Sequence, residues 1–553
     1  MTSTDTTLGP RTATRSPKAG RREWIGLAVL TLACLLYVMD LTVLHLAVPA
    51  ISQDLQPSST QLLWIIDIYG FMVAGFLVTM GTLGDRIGRR KLLLIGATGF
   101  GLVSVLAAFS RTPEMLIASR ALLGIAGATL APSTLSLIFA MFEDPGQRSR
   151  AIAVWISAFS AGGAIGPVLG GIMLEQFWWG SVFLLALPVM ALLLIVGPFV
   201  LPEYKAPDAG RLDLLSAGMS MVAILSIIFG IKEVAQDGLG PLPVGSIAVG
   251  LIVGTLFVRR QFRLADPMID LRLFRIPAFS AALAVNVLAI FVAVGYFLFV
   301  AQYLQLVLGL SPLEAGLYSV PSAIGFVVGS NAAPRILRHI RPAYVMAAGL
   351  AIAAAGLAIL TQVGTSDGLG AVVLASVVSS LGFAPVFGIT TELIVGSAPP
   401  ERAGAASGMS ETGAELGGAL GISILGSIGI VIYRDEVARA LTGEIPAHAA
   451  DAARDTLGAA VGVASELPAQ IGSLIVTAAQ RAFVEGMQVA ATISAAMAVG
   501  VAILVLVALR DVRMPTSTDD EPPAPAESAV GRSQIAERGD RRVRADSTPL
   551  PEA

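Results

Sequence analysis

Apolar runs of about twenty residues recur almost from end to end of the chain, divided by short polar stretches. A bilayer core is crossed by about 20 helical residues, so each run predicts one transmembrane helix. Fourteen are predicted, at 24–51, 62–84, 92–110, 114–140, 149–173, 180–201, 213–235, 242–262, 278–305, 312–334, 342–362, 369–396, 402–430 and 486–510. The polar stretches alternate in charge. Arg21 and Arg22 precede helix 1, a dense basic turn follows helix 2, and Arg148 with Arg150 follows helix 4. Lys205 and Arg211, then Arg259, Arg260 and Arg263, then Arg335, Arg338 and Arg341 follow helices 6, 8 and 10. The intervening loops QDLQPSSTQ, EQFWWG and VGTSDGLG carry no Lys or Arg. Basic loops stay cytoplasmic, so both termini are expected there, as an even number of helices also requires.

Composition strengthens this picture. Hydrophobic residues make up 55% of the 553 residues and charged residues 14%, against roughly 25% charged in soluble domains. Mean hydropathy is +0.77. The fold class expected is an all-α polytopic membrane protein. The net charge of −3 says little about partners, because the charges sit in loops and tails. Cys34 is the sole cysteine, which excludes an intrachain disulfide and marks a packing residue. The run after Arg22 is too long for a signal-peptide core and is read as helix 1. Residues 1–22 and 514–553, rich in Pro, Ser, Thr and charge, are expected to be disordered and cytoplasmic.

Two regions break the regular spacing. Residues 434–482 are Ala-rich and amphipathic, with Pro446 and Pro468 as breaks. They predict an external helical hairpin, with a disordered loop as the alternative. Helix 10 ends in GSNAAPRILRHIR, a loose echo of the GTLGDRIGRRK that ends helix 2. That echo suggests two six-helix halves, 23–201 and 278–513, with two inserted helices and a cytoplasmic linker in 202–277. Repeated halves place a transport site between them near the midplane.

Candidate chemistry is confined to polar groups inside apolar helices, which are functional hypotheses by default. Asp40, in MDLTVLHLAVPAI, lies about 24 Å along helix 1 from Trp24 at 1.5 Å per residue. Desolvation penalises a charged carboxylate, which suits a group that takes up and returns a proton; a neutral structural Asp is the alternative. His45 lies five residues on, roughly 140° around the helix, so it need not share the Asp40 site. Arg120 sits in helix 4, at a cost of roughly 2.5–3.5 kcal/mol or more, unless it snorkels to the surface. Glu411 and Glu415 share one face of helix 13; Glu411 is about 14 Å from Arg402 along the axis, and Glu415 has a packing role near the outer mouth as its alternative. Asp67 in helix 2 is a shallower, accessory acid. In helix 9 the aromatics Tyr296, Phe297, Phe299 and Tyr303, with Gln302 and Gln305, could line a cavity, since aromatic faces bind organic cations.

Two glycine strings complete the pattern. Gly81-Thr-Leu-Gly-Asp85-Arg86-Ile-Gly88-Arg89-Arg90 ends helix 2 in a tight turn. Asp85 at a helix C-terminus opposes the helix dipole and needs a cationic partner or another helix's N-terminus. Gly162-x-x-x-Gly166-Pro167-x-x-Gly170-Gly171 gives helix 5 a face for close packing and a kink at Pro167.

These strings, with Arg120-x-x-x-Gly124-x-x-Gly127 and the helix 1 stretch around Asp40, resemble the major facilitator superfamily in its fourteen-helix drug:proton antiporter branch. The resemblance implies the major facilitator fold, two six-helix bundles plus two inserted central helices. It implies that Asp85 and Arg89, within the gating turn, help to hold the outward-facing state by bridging the halves. It implies a proton-coupling role for Arg120 and substrate or proton recognition by Glu411. The helix 5 string matches the antiporter motif of exporters. His45 stands where an Asn is common, and helix 10 has Phe326 where some members carry an acid.

The function expected is proton-coupled export of organic, cationic or amphipathic drugs, with a small organic substrate, protons and membrane lipids as partners. The protein is expected to be a monomer in the bacterial cytoplasmic membrane, with no nucleic acid and no cofactor. No GxxxxGK[ST] string is present to bind ATP, and three histidines with one cysteine suggest no metal site or catalytic triad. The alternatives are export of a lipid or endogenous metabolite, proton-coupled uptake, and a non-transporting membrane sensor.

Overall fold

The structure is a computed structural model, and it describes residues 18–205, 213–264, 267–366, 368–398, 403–441 and 445–512. The two tails expected to be disordered lie largely outside the described residues. Every predicted transmembrane segment is helical. The helices are α1 (Arg21–Asp54), α2 (Ser59–Ile87), α3 (Arg89–Ala108), α4 (Pro113–Met141), α5 (Pro145–Gln176), α6 (Ser181–Val200), α7 (Leu214–Asp237) and α8 (Pro241–Gln261). They continue as α9 (Pro277–Val307), α10 (Pro312–Ile336), α11 (Pro342–Leu360), α12 (Leu369–Gly396) and α13 (Ala403–Ala440). Two short helices follow, α14 (Ala447–Asp455) and α15 (Leu457–Ala464), and then α16 (Ala469–Ala508).

Among the described residues, twelve helices are long and apolar enough to cross a membrane. Of the fourteen predicted, α5 and α10 are not among these twelve. Helix α10 is rich in Gly, Ser and Pro, which lowers its mean hydropathy.

Local sequence sets the helix starts. Ser58 caps α2 by accepting from the Gln61 amide at 3.2 Å, Thr112 caps α4, Asp144 caps α5, and Ser311 caps α10 in a box with Glu314. Several caps sit beside Pro at the first helical turn, where its missing N–H costs nothing. Most described residues of the Ala-rich 434–482 segment are helical. Its outer parts are extensions of α13 and α16, and α14 with α15 forms the connection.

Helices α1 to α6 pack on one another, as do α9 to α13 with α16. Helices α7 and α8 pair, and α7 lies against both α2 and α13. The two ends of the molecule are tied separately. At the terminal face, the Ala19 amide donates to Gln147 (2.7 Å), and Arg341 at the start of α11 meets Arg510 at the end of α16. At the far face, Gln61 donates to Glu114 (2.6 Å), Ser59 to the Asp455 carbonyl, and Gln480 to the Leu306 carbonyl (2.8 Å).

Candidate functional site

Four acids of the transmembrane segments lie near the contact between the two helix groups, and three of them are already engaged. Asp40 of α1 pairs with Arg120 of α4 at 2.5 Å. Arg120 is fully buried, so it does not snorkel; Asp40 keeps 10% side-chain exposure. The guanidinium also donates to the Ile65 carbonyl of α2 (3.2 Å) and lies 4.7 Å from the Tyr69 ring centroid. Arg120 therefore ties three helices of the first group together around Asp40. Asp40 and Phe183 line a small cavity in the same group.

Tyr69 carries the network to the second group. Its ring is 6.1 Å from that of Tyr37, and the Tyr37 hydroxyl donates to Glu415 of α13. Glu415, the acid with the weaker sequence expectation, is thus the one that touches the first group. Glu411, one turn nearer the terminal face, has no hydrogen bond or ion pair among the described residues and is half-buried. Of the four, it alone has no such partner among the described residues.

Asp67 of α2 is fully buried and paired with Lys232 of α7, whose Nζ stands 2.9 Å from Oδ2 and 3.0 Å from Oδ1. Ser423 of α13 donates to the same carboxylate. Asp67 is wholly enclosed between three helices, α2, α7 and α13. Lys232 was missed. It sits inside the apolar string IIFGIKEV, and an intramembrane lysine facing an intramembrane aspartate was the available signal.

The turn between α2 and α3 depends on Gly88, whose φ of +112° favours glycine and whose missing side chain leaves room for the Glu203 carboxylate. Glu203 accepts from the Arg90 amide (3.2 Å) and lies 3.5 Å from its guanidinium. Arg89 holds Asp85 at 2.6 Å and donates to the Pro132 carbonyl; Arg90 donates to the Pro198 and Leu201 carbonyls. Arg86 is exposed, and Gly81 faces Pro132. Among the described residues, all these bonds stay within the first group. Among the described residues, neither Asp85 nor Arg89 bonds to the second group in this conformation.

The glycines of α5 form two stripes. Gly162, Gly166 and Gly170 face α1 at Leu35, Thr42 and Val43. Pro167 and Gly171 face α10: the Pro167 carbonyl meets Gly316, and a Cβ on Gly171 would lie 2.7 Å from the Pro312 oxygen and the Leu313 Cα. Helix α5 is therefore clamped between the helix that carries Asp40 and the opposite group.

The polar bonds and close approaches between the groups cluster from mid-depth to the far face. Among the described residues they include Tyr37 to Glu415, Asp67 to Ser423, Ser59 to the Asp455 carbonyl, Gln305 to the Leu46 carbonyl (3.1 Å), and the α5–α10 seam. Beyond them a cleft at the far face is lined by Leu63, Phe299, Gln302, Tyr433 and Asp455. Of the α9 aromatics, Phe299 lines that cleft, Tyr296 stacks on Phe297 (4.7 Å), and Tyr303 donates to the Gly364 carbonyl. Among the described residues, the buried Nδ1 of His45 has no hydrogen-bond partner.

A family model described as Major Facilitator Superfamily matches residues 30–422. A multidrug efflux pump of Mycolicibacterium smegmatis, LfrA, is 42% identical over 91% of this chain and 99% of its own length. The methyl viologen resistance protein SmvA of Salmonella typhimurium is 36% identical over 86% of this chain and 96% of its own. The tetracenomycin C resistance and export protein of Streptomyces glaucescens is 30% identical over 95% and 99%. Among solved structures, a bacterial homologue of the human lysosomal transporter Spinster aligns with TM-score 0.61 at 17% identity, over 88% of this chain and 98% of that one. A POT family transporter aligns with TM-score 0.57 at 14% identity, over 87% and 96%.

Proposed function

The chain belongs to the major facilitator superfamily, and from that premise we propose that it is a proton-coupled antiporter exporting organic, cationic or amphipathic drugs across the bacterial cytoplasmic membrane. It is a multi-pass membrane transporter of small molecules and not an enzyme. The observation that carries the reading is Glu411. Its carboxyl has no partner among the described residues, while Asp40, Asp67 and Glu415 are each held by a neighbour. A lone carboxylate within the membrane binds either a proton or an organic cation, and the two compete. The names of the relatives, efflux and resistance proteins, support drugs as the cargo.

In this reading the present conformation is one end of an alternating-access cycle. The far side is shut by the α5–α10 seam and by the contacts of Asp67 and Glu415. On the orientation expected from loop charge, that side is external, and the site faces the cytoplasm. A cationic drug enters and binds Glu411. When the groups part on the far side, protons from outside displace it. Asp40 takes its proton in that state, when Arg120 releases it. The turn at Asp85 and Arg89, idle here, engages the second group to hold the outward-facing form. The protein works as a monomer with no cofactor, driven by the proton gradient.

The name of the Streptomyces glaucescens relative favours a second reading, export of an endogenous product. The same acids serve both readings, and the cargo separates them. Inverted membrane vesicles supply the test. An imposed pH gradient, acidic inside, is expected to drive a fluorescent lipophilic cation inward, and Glu411→Gln at equal membrane abundance is expected to abolish this. Undiminished gradient-driven uptake by that variant contradicts the assignment.

A further inference from the structure

We propose that Lys232, on the first inserted helix, is the counter-cation that neutralises Asp67 while the contact between α2 and α13 is shut. The inserted pair is then a working part of the transport cycle and not a spacer between halves. The inference rests on the alternating-access reading above.

Three observations carry it. First, the pair is complete and dry: Nζ lies 2.9 and 3.0 Å from the two carboxylate oxygens, and both side chains have 0% exposure. Breaking a buried pair of this kind by removing one partner is strongly destabilising, whereas replacing both by apolar side chains of similar size is often neutral or stabilising. Packing alone therefore gives no reason to place a lysine there. Second, the pair joins three elements that the cycle must move relative to one another. Asp67 is on α2, Lys232 on α7 and Ser423, which donates to the same carboxylate, on α13. Phe71, Ile228 and Ala419, one from each of these helices, pack together beside it. Third, Nζ lies 3.8 Å from the centroid of the Trp64 ring. A carboxylate, an indole face and a hydroxyl form a cradle that binds an organic cation. Here that cradle is filled by the protein's own ammonium on a tether.

The consequence is directional. Separation of α13 from α2 removes Ser423 and admits water to the pair. Asp67 then exchanges its lysine for a proton or a cationic substrate, and reclosure requires the lysine to return. Lys232 thus determines when Asp67 is available, and acts on transport through Asp67.

Pulsed electron-spin distance measurements test this without substrate or proton gradient. Spin labels at Phe177→Cys and Gln362→Cys, in a Cys34→Ala background, report the gap between the groups at the far face. In mildly alkaline buffer in nanodiscs, the parent protein is expected to give the short distance. Lys232→Met is expected to lower the ratio of closed to open molecules about tenfold or more. Lys232→Arg is expected to keep the short distance. Asp67→Asn with Lys232→Met, which removes both charges, is expected to restore it. Monodisperse elution of each variant on gel filtration separates a shift of state from unfolding. An unchanged distribution in Lys232→Met, or a double variant that remains open, overturns the proposal. Because no transport is measured, this outcome is independent of whether Glu411 carries cargo.

Discussion

Asp40 and Arg120 form a buried pair whose structural part and proposed part in proton coupling can be separated by substitution. Removing one partner of a buried pair typically costs roughly 3–5 kcal/mol because the other charge is stranded. Asp40→Asn therefore strands Arg120, which is fully buried. The account predicts a lower melting temperature and no proton-driven export for this variant. Adding Arg120→Gln is predicted to recover most of the thermal stability, read by scanning fluorimetry, without recovering export. Recovery of both would reduce the pair to a strut. The intramembrane acids were legible in the sequence, because a charge inside an apolar run stands out wherever it falls. Their partners were not. Tyr37 and Glu415 are 378 positions apart, and nothing in either helix says which faces meet. Lys232 lay three residues from the predicted end of helix 7, where a basic residue reads as a loop charge.

At the level of the helices, α5 does the most with the least side chain. Its Pro167 and Gly171 lie against α10, and its Gly162, Gly166 and Gly170 against α1. A side chain at Gly171 meets backbone, which cannot swing aside, whereas a Cβ at Gly163 meets nothing within 4 Å. Gly171→Val is predicted to wedge the far seam open, to cut export at least tenfold, and to raise labelling of a cysteine placed at Leu313 by an impermeant thiol reagent. Gly163→Ala is predicted to leave both unchanged. Equal effects from the two would mean that small residues on α5 serve helix propensity or folding instead of closure. The glycine spacing was visible in the sequence, and with it the expectation of close packing. The division into two stripes was not, since a string of small residues does not name its neighbours. Helix ends were misjudged where the Ala-rich segment simply prolongs α13 and α16, because alanine continues a helix as readily as it forms a new one.

For the whole molecule, the question is what drives the cycle. If both Asp40 and Glu411 exchange protons while one monovalent cation leaves, one net charge moves inward per cycle. Each charge carried through 100 mV is worth about 2.3 kcal/mol, against about 1.4 kcal/mol per pH unit for each proton. Export at a fixed pH gradient is then predicted to quicken when proteoliposomes are clamped negative on the side of substrate entry. Indifference to voltage would leave a single exchanging acid, and Glu411 is the one without a partner in the described structure. The membrane class and family were readable from hydropathy, loop charge and the two glycine strings. The conformation was not, because sequence states which contacts are available and not which are made. The central claim is that a proton and an organic cation compete for Glu411. Its most direct test is proton release from purified protein in detergent on addition of a lipophilic cation. The account predicts release that saturates with the cation and is lost in Glu411→Gln; release of unchanged size from that variant, or none from the folded parent protein, would contradict it.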